Sequence, residues 1–250
     1  MRESLRLLGG EDSSVTVAVR LRPYSVRELA DPHVTNVVCM SGNETTVCAE
    51  TGLEHHFLYD FSFNSFDAKD PEYVSQEQVY ACLAQPLLVK AFEGYNTCLF
   101  AYGQTGSGKS YSIMGHGSDV GIIPRFCEEL FSRADLVRDH DKVKLHVEIS
   151  FFEIYNEKIH DLLASNSHLG SGKDKKVKKT TLRVREHPTL GPYVEGLSTF
   201  VVTSFDDVHG WITLGNKNRA TAATGMNDKS SRSHSVFTIV LTQTKVGASM

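Results

Sequence analysis

Gly103-Gln104-Thr105-Gly106-Ser107-Gly108-Lys109-Ser110 matches G-x-x-x-x-G-K-[ST] at every fixed position. Glycines in such a loop let the backbone curl so that successive amide N–H groups point at phosphate oxygens. A helix opening at the end of the loop adds its N-terminal amides and the positive end of its dipole. Lys109 brings a point charge to the β and γ phosphates, and the Ser110 hydroxyl can ligate Mg²⁺. Upstream, Thr97–Tyr102 (TCLFAY) is a short apolar run that reads as a fully buried strand. Strand, glycine loop and helix in that order predict a nucleotide site.

The loop alone does not choose the base. A guanine reader would need N-K-x-D, and the nearest string, Asn216-Lys217-Asn218-Arg219, lacks the Asp. Tyr111 offers an aromatic face to a base and Arg22-Pro23 a cover for the other side of that base, a combination that leans weakly towards ATP. Each of these alone reads first as a packing or surface residue.

Around the loop, Ser14–Leu21 alternates Val15, Val17, Val19 and Leu21 on one face and reads as a strand. Asn36–Met40 and Thr45–Ala49 are β-like around the turn Ser41-Gly42-Asn43, and His56–Phe63 is another strand. Ser75-x-x-Gln78 is a capping box that opens a helix to Glu93, with Pro86 predicting a kink or an early end. Further on, Pro124–Arg138 reads as a helix, Lys144–Ile154 as a long strand and Asn156–Leu163 as a short helix. Thr181–Arg185 and Tyr193–Val202 are β-like, Ser204-x-x-Asp207 opens a helix towards Arg219, and Ser235–Thr244 alternates as a closing strand. The alternation predicts an α/β fold, a three-layer P-loop NTPase-like domain whose mixed central sheet is flanked by helices.

Bulk properties narrow the class. The chain has 250 residues, 40% hydrophobic and 22% charged, with net charge −4. That excludes a disordered, collagen-like or disulfide-scaffold chain and a dominant basic field, so no nucleic-acid partner is expected. Five scattered cysteines without C-x-x-C spacing read as reduced thiols. His55-His56 reads as a surface pair, since neighbours on a strand face opposite ways. No leader and no apolar run of membrane-spanning length is legible, so the expectation is a soluble intracellular chain without a membrane partner.

Asn227-Asp228-Lys229-Ser230-Ser231-Arg232-Ser233-His234 is either a polar surface loop or a switch segment whose hydroxyls hold Mg²⁺ and water near a γ-phosphate. Read with the glycine loop, it resembles the first switch of the kinesin motor domain. Arg20-Leu21-Arg22-Pro23, FEGYNTCLFAY (Phe92–Tyr102), GIIPR (Gly121–Arg125), FEIYNEKIHDLL (Phe152–Leu163) and NKNRATAAT (Asn216–Thr224) agree in the same order. The resemblance runs from about Val15 to Thr244, with Val184–Leu197 most similar to the third kinesin class. It implies a motor domain over 15–250 behind an extension at 1–14. It also implies ATP and Mg²⁺, with adenine contacts from Arg20, Arg22, Pro23 and Tyr111 and phosphate contacts from Gly103, Gln104, Thr105, Gly106, Ser107, Gly108, Lys109 and Ser110. Ser110 and Ser231 would meet the metal; Asn227, Ser230 and Ser231 would sense the γ-phosphate, and Arg232 would reach an acidic partner in the second switch.

That second switch, D-L-A-G-S-E in the family, has no counterpart before Met250, which makes the expected domain C-terminally incomplete. The resemblance thus implies an ATP-driven microtubule motor as the parent protein, on the cytoskeleton in the cytoplasm. The chain itself is expected to bind nucleotide weakly or fold incompletely, with little hydrolysis and no motility; the alternative is a non-hydrolysing ATP- and microtubule-binding module or regulator.

Lys173–Arg185 holds five Lys and two Arg against Asp174. Such a run is either a solvated loop or an electrostatic contact with an acidic surface. The resemblance makes the microtubule that surface, through Lys173–Leu197. Reversing Lys175, Lys176, Lys178 and Lys179 to Glu is expected to lower microtubule affinity at low salt. Unchanged co-sedimentation would contradict this.

Overall fold

The computed structural model describes residues 14–140, 143–164, 181–189, 191–223 and 232–245, which form two compact units. The first comprises the chain up to Pro86 together with Leu99–Ile122. Its first strand, β1 (Ala18–Leu21), is shorter than the alternation predicts. Val15 and Val17 are exposed, and Val17 N–H instead donates to Asp60 Oδ2 at 2.7 Å. A short helix α1 (Val26–Leu29) follows, closed by a capping box between Ser25 and Glu28.

Next, β2 (Val38–Ser41) and β3 (Glu44–Cys48) form the expected hairpin around Gly42, whose φ of +56° suits glycine at the turn. The predicted strand His56–Phe63 is two strands. β4 (Glu54–Leu58) pairs antiparallel with β3, and β5 (Phe61–Asn64) pairs parallel with β1. Tyr59 and Asp60 make the break, their amides bonding to Asn43 O and Val17 O. The helix α2 (Gln76–Phe92) starts at the predicted capping box, Ser75 N–H donating to Gln78 and Gln78 N–H to Ser75 Oγ. It continues through Pro86 and buries Val79, Tyr80 and Ala84 in this unit. The unit ends with α3 (Lys109–Met114) and the small hairpin β6 (Gly115–His116) and β7 (Asp119–Val120).

The second unit is built on one long strand. Helix α4 (Ile122–His140) leads to β8 (Val143–Tyr155), along which Val147, Ile149, Phe151 and Glu153 alternate into the interior. On α4, Cys127, Leu130, Phe131 and Ala134 are buried at helical spacing. The predicted helix Asn156–Leu163 is instead β9 (Lys158–Asp161), antiparallel to β8. Asn156 and Glu157 both take positive φ, 48° and 58°, the turn that closes a two-residue hairpin. Ile159 on β9 and Leu162 and Leu163 just beyond its end are buried all the same. Asp161 fastens its end, accepting from the amides of Leu163, Ala164 and Ser198.

β10 (Arg183–His187) and β11 (Gly191–Glu195) form an exposed hairpin, and β12 (Phe200–Val202) joins β8. Ser204 caps α5 (Phe205–Ala223) through Asp207 N–H, while the Asp207 carboxylate bonds back to Thr203. β13 (His234–Lys245) pairs with β8 along its whole length, which makes a four-stranded antiparallel sheet. Helices and strands thus alternate as an α/β fold. Thr97–Tyr102, however, pairs with none of the described strands. Its apolar residues lack a neighbour on either edge, and Phe100 and Tyr102 are 81% and 96% exposed.

α5 lies against β8 at Gly215, where a Cβ would come within 2.4 Å of the buried Phe151 ring. That ring is held edge-on to Phe237 and has little room to retreat. Gly215→Ala is expected to lower the melting temperature, because overpacking costs about 1–3 kcal/mol against about 1 kcal/mol gained in helix propensity. A higher melting temperature would contradict this packing.

At α1, bonds from Arg22 and then from the Ser25 amide hold the Glu28 carboxyl down at about 2, against an ordinary 4.5. A depressed carboxylate stabilises the fold above its ordinary value and loses that contribution as pH falls through about 2. Carboxyl ¹³C NMR of R22M should show the Glu28 midpoint move up towards 4.5. A midpoint still near 2 would contradict the assignment.

Candidate nucleotide-binding site

The loop Gly103–Gly108 takes the shape its glycines allow. Gly103, Gly106 and Gly108 have φ of 151°, 81° and 93°, and the Ser107 amide donates to Gln104 O at 3.2 Å. Gly108 is the left-handed N-cap of α3, so the chain turns straight from loop into helix. A side chain at Gly103 would meet Ser107 Oγ at 2.5 Å. Gln104, Thr105 and Gly106 are exposed, and Lys109 is half-buried. Its Nζ donates to the carbonyls of Gly103 and Gln104, each at 2.7 Å, which folds the ammonium back into the loop. Ser110 is exposed on the first turn of α3.

Beside the loop lies a small cleft lined by Arg20, Arg22, Pro23, Ser65, Tyr73, Ser107, Gly108, Tyr111 and Ser112. All four residues expected at the base are therefore in one place with the end of the loop. Their roles divide. Arg22 forks onto Glu28 with two bonds of 2.7 Å and also donates to Pro23 O, so it forms a fixed wall beside Gly108. Arg20 turns inward. Nε donates to Ser65 Oγ at 2.9 Å, Nη1 to Gln76 Oε1 at 2.6 Å and to Ser112 Oγ at 3.0 Å, and the guanidinium lies 5.4 Å from the Tyr111 ring centroid. Desolvation pulls its pKa down, and Tyr111, Tyr73 and Asp119 counter that pull. Arg20 thus acts first as a support for the pocket, with Nη2 buried and unbonded.

Ser65, Tyr73, Gln76, Ser112 and Asp119 belong to the site without any motif that marks them in the sequence. Gln76 reaches the site because α2 begins there; its Nε2 donates to Tyr111 O at 2.7 Å. Ser112, the next residue on α3, reaches the site by accepting from Arg20 Nη1. The Tyr111 hydroxyl donates to the Asp119 carboxylate, and that bond first, then burial, pushes its pKa up to about 12.

Of the expected γ-phosphate residues, Asn227, Ser230 and Ser231 lie outside the described residues, as do the lysines from Lys173 to Lys179. Arg232 is exposed, two residues ahead of β13 in the second unit. In the rest of the basic region, Arg185 bonds to Glu195 at 3.0 Å across the β10–β11 hairpin, which offsets part of its charge. His56 bonds to Glu44 at 2.7 Å as an exposed surface group, and among the described residues no cluster of His, Cys, Asp and Glu fits a metal. None of the described helices is long and apolar enough to cross a membrane.

The donor set suits a phosphate. It combines a loop of left-handed glycines, a lysine ammonium folded into it, and the buried, unbonded Ser107 hydroxyl. A family model described as the kinesin motor domain matches residues 20–250. The human kinesin-like protein KIF14 is 58% identical over 236 residues, covering 94% of this chain and 14% of that protein. Mouse kinesin-like protein KIF16B is 48% identical over 249 residues, covering 95% and 18%. Among solved structures, a KIF14 dimer segment in its two-heads-bound state with AMP-PNP on a microtubule superposes with a TM-score of 0.83 at 58% identity. It is matched over 93% of this chain and 62% of its own. A shorter KIF14 segment with ADP on a microtubule gives 0.78 at 57% identity, over 94% and 63%. The chain therefore spans less than two thirds of the solved motor segments it resembles, and under a fifth of the curated relatives. With the match running through loop, cleft and final strand alike, the chain belongs to the kinesin motor domain family.

Proposed function

We propose that this chain is the nucleotide-binding part of an ATP-driven microtubule motor, with residues 1–14 as an extension and the motor domain from residue 15 onward. The observation that carries the reading is the glycine loop turning directly into α3 beside a cleft with Tyr111, Arg22 and Pro23 on its walls. Its supports outside the chain are the AMP-PNP and ADP in the related KIF14 complexes with microtubules. The acidic surface of a microtubule also suits the basic run Lys173–Arg185. A motor of this kind would work on the cytoskeleton, in the cytoplasm.

In this reading the amides of Gly106 to Lys109 bind phosphate oxygens, and Lys109 exchanges its two carbonyl acceptors for phosphate. Ser110, with Ser231, would hold Mg²⁺, which supplies charge neutralisation at the β and γ phosphates. Arg22 and Pro23 wall the base side opposite Tyr111, while Arg20 keeps that ring in place. Asn227, Ser230, Ser231 and Arg232 would form the γ-phosphate sensor. Positioning and charge complementarity do nearly all the work in such a site.

Lys109→Ala should weaken ATP binding about tenfold to a hundredfold, the worth of a charge-assisted bond. ATP turnover by the full protein should accelerate on microtubules and lose that acceleration in K109A. Binding of both ligands without turnover would instead mark a non-hydrolysing module, and turnover indifferent to microtubules would contradict the motor reading.

A further inference from the structure

Tyr111 is held at three points, and they do different things. Its carbonyl accepts from Gln76 Nε2 and from the Gly115 N–H, which fixes the backbone of α3 and leaves the ring free. The Arg20 guanidinium, 5.4 Å from the ring centroid, biases the plane of the ring. The hydroxyl donates to the Asp119 carboxylate. A bond at the para oxygen lies on the axis about which the ring flips, so it fixes where the long axis points and leaves the plane to Arg20.

Asp119 is brought to that oxygen by a hairpin with no slack. After α3, Gly115 turns the chain with φ +85°, and Gly115–His116 pairs with Asp119–Val120. A Cβ on Gly115 would lie 2.3 Å from Asp119 O, and one on Gly121 2.5 Å from Gly115 N, so backbone packs directly on backbone. The carboxylate therefore returns to the side chain eight residues upstream as a fixed post.

The bond also spends the one donor the ring has. With the hydroxyl hydrogen given to Asp119, Tyr111 has none left to donate to a ligand in the cleft and offers it the face of the ring. The phenol's raised pKa, about 12, keeps that hydrogen in place. A face acts by stacking, and stacking concerns the base of a nucleotide, whereas the phosphates belong to Gly103–Ser110.

We propose that Asp119 is a positioning residue that, through the Tyr111 hydroxyl, aims the ring as a stacking platform and so sets the base share of nucleotide affinity. The proposal rests on the nucleotide reading above, and its test separates the two. Calorimetric titration of the 250-residue chain with ADP and with inorganic tripolyphosphate compares a ligand that has a base with one that has none. D119A and Y111F should each weaken ADP binding about three- to tenfold, as the loss of one hydrogen bond does. Both should leave tripolyphosphate affinity unchanged. The double variant should bind ADP no more weakly than either single variant, because both remove the same bond. D119N, whose amide oxygen still accepts, should recover most of the affinity. Where D119A does not fold, Y111F carries the comparison, since it removes the bond and leaves the hairpin whole. Unchanged ADP affinity in Y111F and D119A, equal losses for both ligands, or additive losses in the double variant would overturn the proposal. Failure of the unaltered chain to bind either ligand would overturn the nucleotide reading, and the role of Asp119 with it.

Discussion

Within six residues, at Gly103, Gly106 and Gly108, the backbone takes positive φ, a path closed to residues with a Cβ except at a cost of about 1–3 kcal/mol each. That constraint places the N-terminus of α3, and α3 places the rest of the site. Tyr111 and Ser112 reach Arg20 because they are the third and fourth residues of a helix that starts at Lys109. The Lys109 ammonium ties the loop to its own carbonyls, so charge and backbone shape are set together. A Cβ at Gly103 would strike the Ser107 side chain, which shows how closely the loop is folded on itself.

The two arginines of Arg20-Leu21-Arg22 show how one local pattern yields two physical roles. Both end in the same cleft, yet Arg22 is bound at the rim by the Glu28 carboxylate and Arg20 is drawn inward. An inward guanidinium needs acceptors for its hydrogens, and Ser65, Gln76 and Ser112 provide neutral ones at Nε and Nη1, leaving Nη2 without one. Burial then lowers its pKa while bonding keeps it oriented, a combination suited to a support for an aromatic ring.

The glycine loop was legible in the sequence because phosphate binding restricts residue types at fixed spacing. The caps at Ser75 and Ser204 were legible for the same reason, since a short polar side chain must meet an amide three residues on. The partners of Arg20 and Tyr111 were not. Ser65, Gln76 and Asp119 come from distant turns, and their pairing follows from tertiary approach, which leaves no period in the sequence. Asn156–Leu163 was misleading in another way, because Asn156 and Glu157 turn the chain into β9 through two positive-φ positions that the residue types do not announce. Thr97–Tyr102 has the composition of a buried strand, but a strand also needs neighbours, and composition says nothing of those.

If Gly103–Ser110 is the phosphate cradle of a nucleotide site, its amides should respond to ADP, which amide hydrogen exchange with and without saturating ADP measures. Exchange should slow most at Gly103–Ser112, with a smaller effect at Arg20–Arg22. Exchange across Gly103–Ser110 that does not respond to a bound nucleotide would contradict it.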